Sequence, residues 1–492
     1  MCDRERGCSE VPVPKVTTWQ LSAGSAVIGL ALAAGLIAAS GPWDSGQRKA
    51  ERDWAAARDR TGGADHGSAA HSAGPAPAPS APGVLAALGG SSAVPTGTGL
   101  GKTLGHLMDD PALGRTAGGV VIDAATGRTL YGSEADRPLT PASTVKLATM
   151  AAGLSALGPD HRIATTVTAT PDGKRLTLRG GGDPTLDRDG LRALADATVK
   201  VERDRGVSSV RIAYDTSLYS GPVLHPIGPN DNIAPVSALM TDEGRLGGGS
   251  GGSDSEASAE EGDHGPAPRT GDPAGDTART FASMLADRSV HSTGAPAPGK
   301  SPADAKPVAR TYSAPLSALV ERALTNSDND IAEAVARQTA LAAHEPASFA
   351  GAGRAVRAQL KKLGLPLDGA RFADGSGLNR QDKVSPTLLA TLLTRAGDPA
   401  HPELRPILTG LPIAGFTGTL DGRYTDPSGA GGLIHAKTGT LTGVNTLAGT
   451  VVDARGRLLA FAFMASGTVS PTAAQSALDR LGTAVASCGC AG

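Results

Sequence analysis

Residues 141–157 have the sequence PASTVKLATMAAGLSAL, in which apolar side chains recur at helical spacing until Gly158 and Pro159 end the pattern. The stretch therefore predicts a helix. Ser143 and Lys146 lie three positions apart near its start, so both side chains are expected on one face of the helix. Ser143 is also close to the helix N-terminus, where free N–H groups stabilise developing negative charge.

A serine and a lysine in this arrangement can act as a nucleophile and its base. A serine hydroxyl is a poor nucleophile until a neighbouring group takes its proton. Lys146 can take that proton only as a neutral amine, which requires burial or a nearby cation to lower its pKa. The pattern S-x-x-K also arises often by chance, so it needs support from elsewhere in the chain.

A second motif, Ser327-Asp328-Asn329, lies between two predicted helices at 314–323 and 330–342. The Ser327 hydroxyl can relay a proton, and the Asn329 amide offers both a donor and an acceptor to a substrate amide. Side chains of this kind also cap helices. Within the second helix, Asp330 and Glu333 resemble a capping pair.

A third motif, Lys437-Thr438-Gly439-Thr440, lies on a predicted strand. A cation and two hydroxyl groups on one strand can hold a carboxylate, and Gly439 lets a substrate approach the backbone. An ordinary edge strand is the alternative interpretation. The three motifs in this order, each in its expected local context, are characteristic of class A β-lactamases and penicillin-binding proteins.

The rest of the pattern predicts an α+β fold. Residues 118–132 predict a hairpin, and 433–440, 446–452 and 458–464 predict three sequential strands before a final helix at 472–486. We expect an antiparallel sheet flanked by helices and shared between the two ends of the chain. The middle of the chain is then an insertion.

The sequence resembles the class C, type-4 penicillin-binding D-alanyl-D-alanine carboxypeptidases, peptidase family S13, from about Val84 to Cys490. Three further segments contribute to the resemblance: Gly180-Gly-Gly-Asp-Pro-Thr-Leu186, Ala234-Pro-Val-Ser-Ala-Leu239 and Asp374-Gly-Ser-Gly-Leu378.

The resemblance implies a β-lactamase/transpeptidase-like domain split by inserted smaller domains. We expect its two parts at 84–160 and 311–490, with the inserted domains at 161–310. Residues 247–275 lack large apolar side chains and predict a mobile, disordered loop within the insertion.

The resemblance also implies the mechanism. Ser143 attacks the carbonyl between two D-Ala residues, Lys146 is the base, and the N–H groups of Ser143 and Thr440 form the oxyanion hole. Ser327 and Lys437 pass a proton to the leaving D-Ala. The implied substrate-binding residues are Asn329 for the acyl-side amide, and Thr438, Gly439 and Thr440 on the strand. The implied partners are peptidoglycan stem peptides ending in D-Ala-D-Ala, and β-lactams that acylate Ser143.

An uncharged apolar run at 21–39 is long enough to span a bilayer and also fits the apolar region of a secretory signal. We expect a short cytoplasmic tail at 1–20, an anchor or signal at 21–39 and a flexible linker at 40–83. The catalytic part is expected outside the membrane, or secreted if the segment is cleaved.

The composition argues against nucleic-acid binding and against a fold based on disulfides or a cysteine metal site. The formal net charge of −2 gives no field that would attract nucleic acid. Two pairs of cysteines, Cys2 with Cys8 and Cys488 with Cys490, lie at the ends of the chain, which is neither a disulfide framework nor a metal-site spacing. Free thiols or one local disulfide fit this placement. The chemistry requires no metal and no organic cofactor.

Two alternatives stay open from the residues alone. A serine β-lactamase uses the same motifs but needs a deacylation base, and none is evident in the sequence. A non-catalytic wall-binding or β-lactam-sensing module is the other. Within the peptidase interpretation, endopeptidase cleavage of cross-links breaks the same kind of D-Ala bond as carboxypeptidase trimming.

Overall fold

The computed structural model describes residues 97–246, 265–425 and 430–488. The predicted tail, membrane or signal segment and linker therefore lie outside the described residues, as does most of the predicted loop at 247–275. In the part of the chain that is described, no helix is both long and apolar enough to cross a bilayer.

The elements are numbered in chain order. The strands are β1 Thr116–Asp123, β2 Thr129–Ser133, β3 Ala164–Ala169, β4 Arg175–Arg179, β5 Ser209–Asp215, β6 His291–Ser292, β7 Ala297–Pro298, β8 Lys306–Tyr312, β9 Ile434–Leu441, β10 Val444–Val452 and β11 Leu458–Ser466. The α-helices are α1 Gly97–Met108, α2 Val145–Leu157, α3 Arg188–Asp204, α4 Pro273–Ala286, α5 Leu316–Thr325, α6 Asn329–Ala342, α7 Phe349–Lys362, α8 Pro386–Ala396, α9 Arg405–Thr409 and α10 Pro471–Ala486.

One sheet joins the two ends of the described chain. Its strand order is β2-β1-β11-β10-β9, and every neighbouring pair is antiparallel. The first strand, β1, pairs along its length with β11, from Thr116 opposite Ser466 to Asp123 opposite Leu459. The predicted hairpin and the three predicted C-terminal strands are confirmed. The K-T-G-T strand, β9, is an edge of this sheet.

Helices cover both faces of this sheet. Because side chains alternate along a strand, β11 sends Ala460, Ala462 and Met464 into one core and Phe461, Phe463 and Ala465 into the other. Helices α2, α5 and α8 contribute to the first core, and α10 to the second. Disulfide-bonded Cys488 is buried in the second core.

Helix α2 lies at the centre of the first core. Its residues from Val145 to Leu154 are all buried, including Lys146. A helix that is apolar on all sides is stable only where other elements surround it. The lysine of the S-x-x-K motif therefore lies inside the protein, on an element fixed by packing on every side.

A second sheet is built from residues between α2 and α5. Its strand order is β6-β5-β4-β3-β8, with β7 also paired to β5. Strands β4 and β5 are parallel, and α3 lies between them in the chain, as a parallel connection requires. Helices α3 and α4 pack their apolar sides on this sheet in a separate core.

The prediction of a disordered loop at 247–275 is wrong for its last residues. Residues 265–275 form defined contacts: Arg269 Nη1 donates to the Glu243 carbonyl at 2.7 Å, and α4 begins at Pro273. Asp272 caps that helix by accepting from Gly275 N at 3.0 Å. The absence of large apolar residues was misleading, because arginine contacts and an Asp-Pro helix start position this segment instead.

The predicted capping pair at the start of α6 is also wrong. Asp328 is the N-cap, and its side chain accepts from Ile331 N at 2.9 Å. Asp330 and Glu333 are buried within the helix, where Asp330 accepts from Ala234 N and Glu333 from the backbone of the 374–378 loop. These two carboxylates therefore accept hydrogen bonds from distant parts of the chain and do not cap the helix.

Mutations on β10 can test which side chains of the first sheet are buried. Leu447 on β10 is fully buried, whereas Val452 on the same strand is 40% exposed. We expect Leu447→Ala to lower the free energy of unfolding by about 2–5 kcal/mol, because it leaves a cavity between β10 and α10. Val452→Ala is the matched control and should change it by less than about 0.5 kcal/mol. Chemical unfolding of the whole chain measures both, and equal effects would contradict this burial pattern.

Candidate active site

The serine of the S-x-x-K motif lies on a tight turn. Residues Ala142–Thr144 form one turn of 3-10 helix that leads into α2. Ala142 has a φ of 48°, a strained value for a residue with a side chain. The Pro141 carbonyl accepts from Thr446 Oγ1 at 2.8 Å, which ties the turn to β10. The sheet therefore holds Ala142, just before Ser143, in a conformation that the local sequence alone would not favour.

Lys146 has the geometry of a base for Ser143. Its side chain is fully buried, and Nζ lies 2.9 Å from Ser143 Oγ. The same amine lies 2.7 Å from Asn329 Oδ1 and 2.7 Å from the Ser376 carbonyl. Burial lowers the pKa of Lys146 to about 8, although the negative charge of Asp374 opposes the shift. A lysine with this pKa is partly neutral near pH 7.

The S-D-N motif faces the same amine. Asn329 is the first residue of α6, and its Nδ2 donates to the Asn232 carbonyl at 2.9 Å. Ser327 has a φ of 59°, so it occupies a left-handed conformation just before the helix. Asp328 caps α6 and thereby fixes the residues on either side of it. The predicted site residues of the first two motifs therefore come together.

The third motif brings a second buried amine. Lys437 is fully buried, and both burial and the charge of Lys146 lower its pKa well below the ordinary value. Its Nζ donates to the Thr438 carbonyl at 2.9 Å. Among the described residues, no hydrogen bond joins Lys437 to Ser327. Thr438 Oγ1 donates to Thr419 Oγ1 at 2.7 Å, which orients the first threonine of the strand.

The packing around position 439 requires a glycine. A Cβ at this position would lie 2.1 Å from Thr446 Oγ1, 2.6 Å from the Pro141 carbonyl and 3.1 Å from Ser143 N. A side chain at this position would therefore point at the turn of the nucleophile and the neighbouring strand. Glycine here lets β9 lie directly against the backbone of Ser143.

Two adjoining pockets open on either side of the serine. Both are lined by Ser143, Ser327 and Thr440, and their volumes are about 190 and 260 Å³. The first also contacts the inserted segment, and the second contacts the loop before β9 and the last helix. Their further lining residues include Asn232, Arg245, Arg269 and Asn329 in the first, and Thr419, Arg423, Thr438 and Gln475 in the second.

Several of these residues were missed from the sequence. Asn232, Arg245 and Arg269 lie in segments without regular periodicity, and no motif marks them. The segment 374–378 was noted only as part of the resemblance, yet its Ser376 carbonyl contacts Lys146. The glycine-rich composition of that segment was the available signal.

Within the described ranges, two buried acidic clusters have the donor atoms for a metal: His225 with Glu333 and Asp374, and Glu243 with Asp328 and Asp330. In the first, the histidine contacts Asp374, and Glu333 Oε1 accepts two backbone N–H groups. In the second, arginine side chains pair with all three carboxylates. Protein donors thus already serve both clusters, and neither donor set points to a metal.

The profile of the D-Ala-D-Ala carboxypeptidase 3 (S13) family matches residues 100–248 and 260–485. This chain belongs to that family. It is a serine-type D-Ala-D-Ala carboxypeptidase, as the sequence predicted. The S13 chain is 36% identical over 445 residues to Carboxypeptidase DacB of Mycolicibacterium smegmatis, covering 86% of this chain and 92% of that protein.

Other relatives agree with this assignment. The D-alanyl-D-alanine carboxypeptidase of an Actinomadura species is 31% identical over 417 residues, covering 70% of this chain and 76% of that protein. The crystal structure of penicillin-binding protein 4 from Haemophilus influenzae superimposes with a TM-score of 0.64 at 22% identity, covering 78% and 97% of the two chains. The S13 chain therefore shares that α+β, transpeptidase-like fold, which confirms this part of the predicted fold class.

The close approach at Gly439 can be tested by mutation. Gly439→Ala places a methyl group against Pro141 and Ser143, so we expect the nucleophile to move. A displacement of about 1 Å lowers kcat/KM for D-Ala release by about a hundredfold. Gly132→Ala on β2 is the matched control, because its Cβ finds no atom closer than 3.5 Å. If both variants release D-Ala at the wild-type rate, the strand does not constrain the serine.

Proposed function

We propose that this chain removes the terminal D-Ala from peptidoglycan stem peptides ending in D-Ala-D-Ala, through an acyl-enzyme on Ser143. The observation that carries the proposal is the buried amine of Lys146, 2.9 Å from Ser143 Oγ, with a lowered pKa. A neutral amine at this distance can accept the proton of the hydroxyl as the oxygen attacks.

The first step is acylation. Ser143 Oγ attacks the carbonyl carbon between the two D-Ala residues, and its proton moves to Lys146 Nζ. The N–H groups of Ser143 and Thr440 bind the developing oxyanion, and each such donor contributes about 3–4 kcal/mol. The close packing of Gly439 against Ser143 N supports this role, because it places β9 beside the serine backbone.

The second step is loss of the leaving group. Ser327 and Lys437 pass a proton to the nitrogen of the departing D-Ala, while Thr438 and Thr440 bind its carboxylate. Asn329 holds the acyl-side amide through Nδ2, which has two protons and gives one to Asn232. Water then hydrolyses the ester on Ser143. Cross-links contain the same kind of D-Ala bond, so endopeptidase cleavage is part of the proposal.

β-Lactams are expected to acylate Ser143 by the same attack. Penicillin-binding protein 4 of Haemophilus influenzae has been crystallised in complex with a β-lactam. In the S13 chain, the pockets on both sides of Ser143 supply room for the two halves of such a molecule.

We also propose an extracytoplasmic location for the catalytic part. The substrate lies outside the membrane, and the apolar run at 21–39 can serve as an anchor or a cleaved signal. The parts at 84–160 and 311–490 would then form the penicillin-binding domain, with 161–310 inserted. The position of the second sheet between α2 and α5 supports this division.

Covalent labelling tests the proposed nucleophile. After the whole chain is mixed with benzylpenicillin, we expect intact-protein mass to show one long-lived adduct in the wild type and none in Ser143→Ala. An adduct that persists in Ser143→Ala would contradict the assignment. Rapid drug loss without a lasting adduct would indicate a β-lactamase, and no adduct with intact drug would indicate a non-catalytic module.

The pH dependence tests the proposed base. Because Lys146 must be neutral to accept the proton, and its pKa is about 8, kcat/KM should rise with pH and level off above about 8. Below that value, we expect about a tenfold loss per pH unit. Lys146→Arg keeps a cation that cannot be deprotonated, so it should lose nearly all D-Ala release at every pH. A profile that stays flat from about pH 6 to about pH 9 would exclude Lys146 as the base.

A further inference from the structure

The loop at 374–378 holds an acceptor against the catalytic amine. Its Ser376 carbonyl lies 2.7 Å from Lys146 Nζ. Asp374 organises the loop from within, since its carboxylate accepts from Gly377 N at 2.7 Å and from Ser376 Oγ at 3.2 Å. The position of the Ser376 carbonyl therefore depends on two buried carboxylates: Asp374 within the loop, and Glu333, which accepts from Gly375 N and Ser376 N.

A histidine from the inserted region contacts that carboxylate. His225 Nε2 lies 2.8 Å from Asp374 Oδ2, and both side chains are fully buried. Ile227 N donates to His225 Nδ1 at 3.3 Å, so Nδ1 is an acceptor. In the neutral ring the proton is then on Nε2, and Nε2–H donates to Asp374. The ring thus has a defined tautomer and direction.

The same segment also contacts the S-D-N motif. We call residues 220–236 the clamp segment. The Asn232 carbonyl accepts from Asn329 Nδ2 at 2.9 Å, and Ala234 N donates to Asp330 Oδ1 at 2.9 Å. The clamp segment therefore contacts two of the three acceptors that face Lys146: Asn329 directly, and Ser376 through Asp374.

The surroundings of the imidazole keep this contact in place. The Phe349 ring packs edge-on against His225 with a centroid distance of 5.3 Å, and the Arg337 guanidinium lies 4.1 Å from the Phe349 centroid. Two further buried carboxyls lie here: Glu333, which faces His225 and Asp374, and Asp382, which contacts Asp374. Burial opposes ionisation of Asp374, yet hydrogen bonds from His225 and Asp382 lower its pKa to about 2. Asp374 is then an anion that only accepts hydrogen bonds.

We propose that His225 is a positioning residue for the reaction: by donating Nε2–H to Asp374, it fixes the 374–378 loop and holds the Ser376 carbonyl against Lys146. This inference rests on the proposed role of Lys146 as the base. His225 itself touches neither the substrate nor Ser143.

Loss of this donor has two consequences for the amine. The 374–378 loop loses its link to the clamp segment, so the Ser376 carbonyl moves away from Nζ. A protonated amine that loses an acceptor is less stable, so the pKa of Lys146 falls further. Acylation then slows, because the amine is less well oriented, and its pH midpoint moves to lower pH.

The test is the rate of benzylpenicillin adduct formation on the whole chain, followed by intact mass at several pH values. We expect His225→Leu to lower the plateau rate by about tenfold or more and to move the midpoint down by about half a pH unit. His225→Gln should stay within about threefold of the wild type, because its amide N–H can reach Asp374. His291→Leu, on an exposed residue of the same inserted region, is the matched control and should match the wild type.

Three results would separate the explanations. If His225→Leu retains the wild-type rate constant and midpoint and only the labelled fraction falls, the residue serves folding alone and the proposal is wrong. If His225→Leu does not fold, His225→Asn, with its shorter amide, must show the same slowing and shift; wild-type behaviour there also overturns the proposal. If the wild type forms no adduct, or Ser143→Ala forms one, it is the proposed function that fails.

Discussion

Removing an amine from water costs several kcal/mol unless protein acceptors replace its lost hydration. The Lys146 amine is fully buried, and its acceptors come from three parts of the chain: the turn of Ser143, the start of α6 and the loop at 374–378. Each of these must be in place before the amine can be buried. The catalytic centre therefore depends on this one set of hydrogen bonds.

The charges around Lys146 act in opposite directions. Burial favours the neutral amine, while the buried carboxyls of Asp374 and Glu333 favour the protonated form. Burial also lowers the pKa of Lys437, and the charge of Lys146 lowers it further, so the two amines disfavour each other's protonation. The balance leaves Lys146 with a pKa of about 8, where it can both accept and return a proton near neutral pH.

Sequence patterns predicted the parts of this site that are local. Ser143 with Lys146 and Ser327 with Asn329 follow from short spacing, and helix α2 follows from a run of apolar residues. The structure brings all of them together with the K-T-G-T strand. Contacts across the chain were not predictable in this way. His225 meets Asp374 from a segment without periodicity, and the wrong capping pair arose because Asp330 serves such a distant contact. Short motifs encode chemistry, whereas the supports of that chemistry depend on tertiary packing.

The pairing of β1 with β11 has a consequence for the time at which activity can arise. Thr116 lies opposite Ser466, so the central strands of the sheet come from the two ends of the described chain. Ser143 is made early during synthesis. Strand β9, which carries Thr440, and strand β10, which pairs with it, are made about 300 residues later. Contacts between segments so far apart form slowly, because a long loop must close first. A growing chain has its nucleophile but no sheet to support it. The hydrolase therefore stays inactive until β9, β10 and β11 are all available to fold.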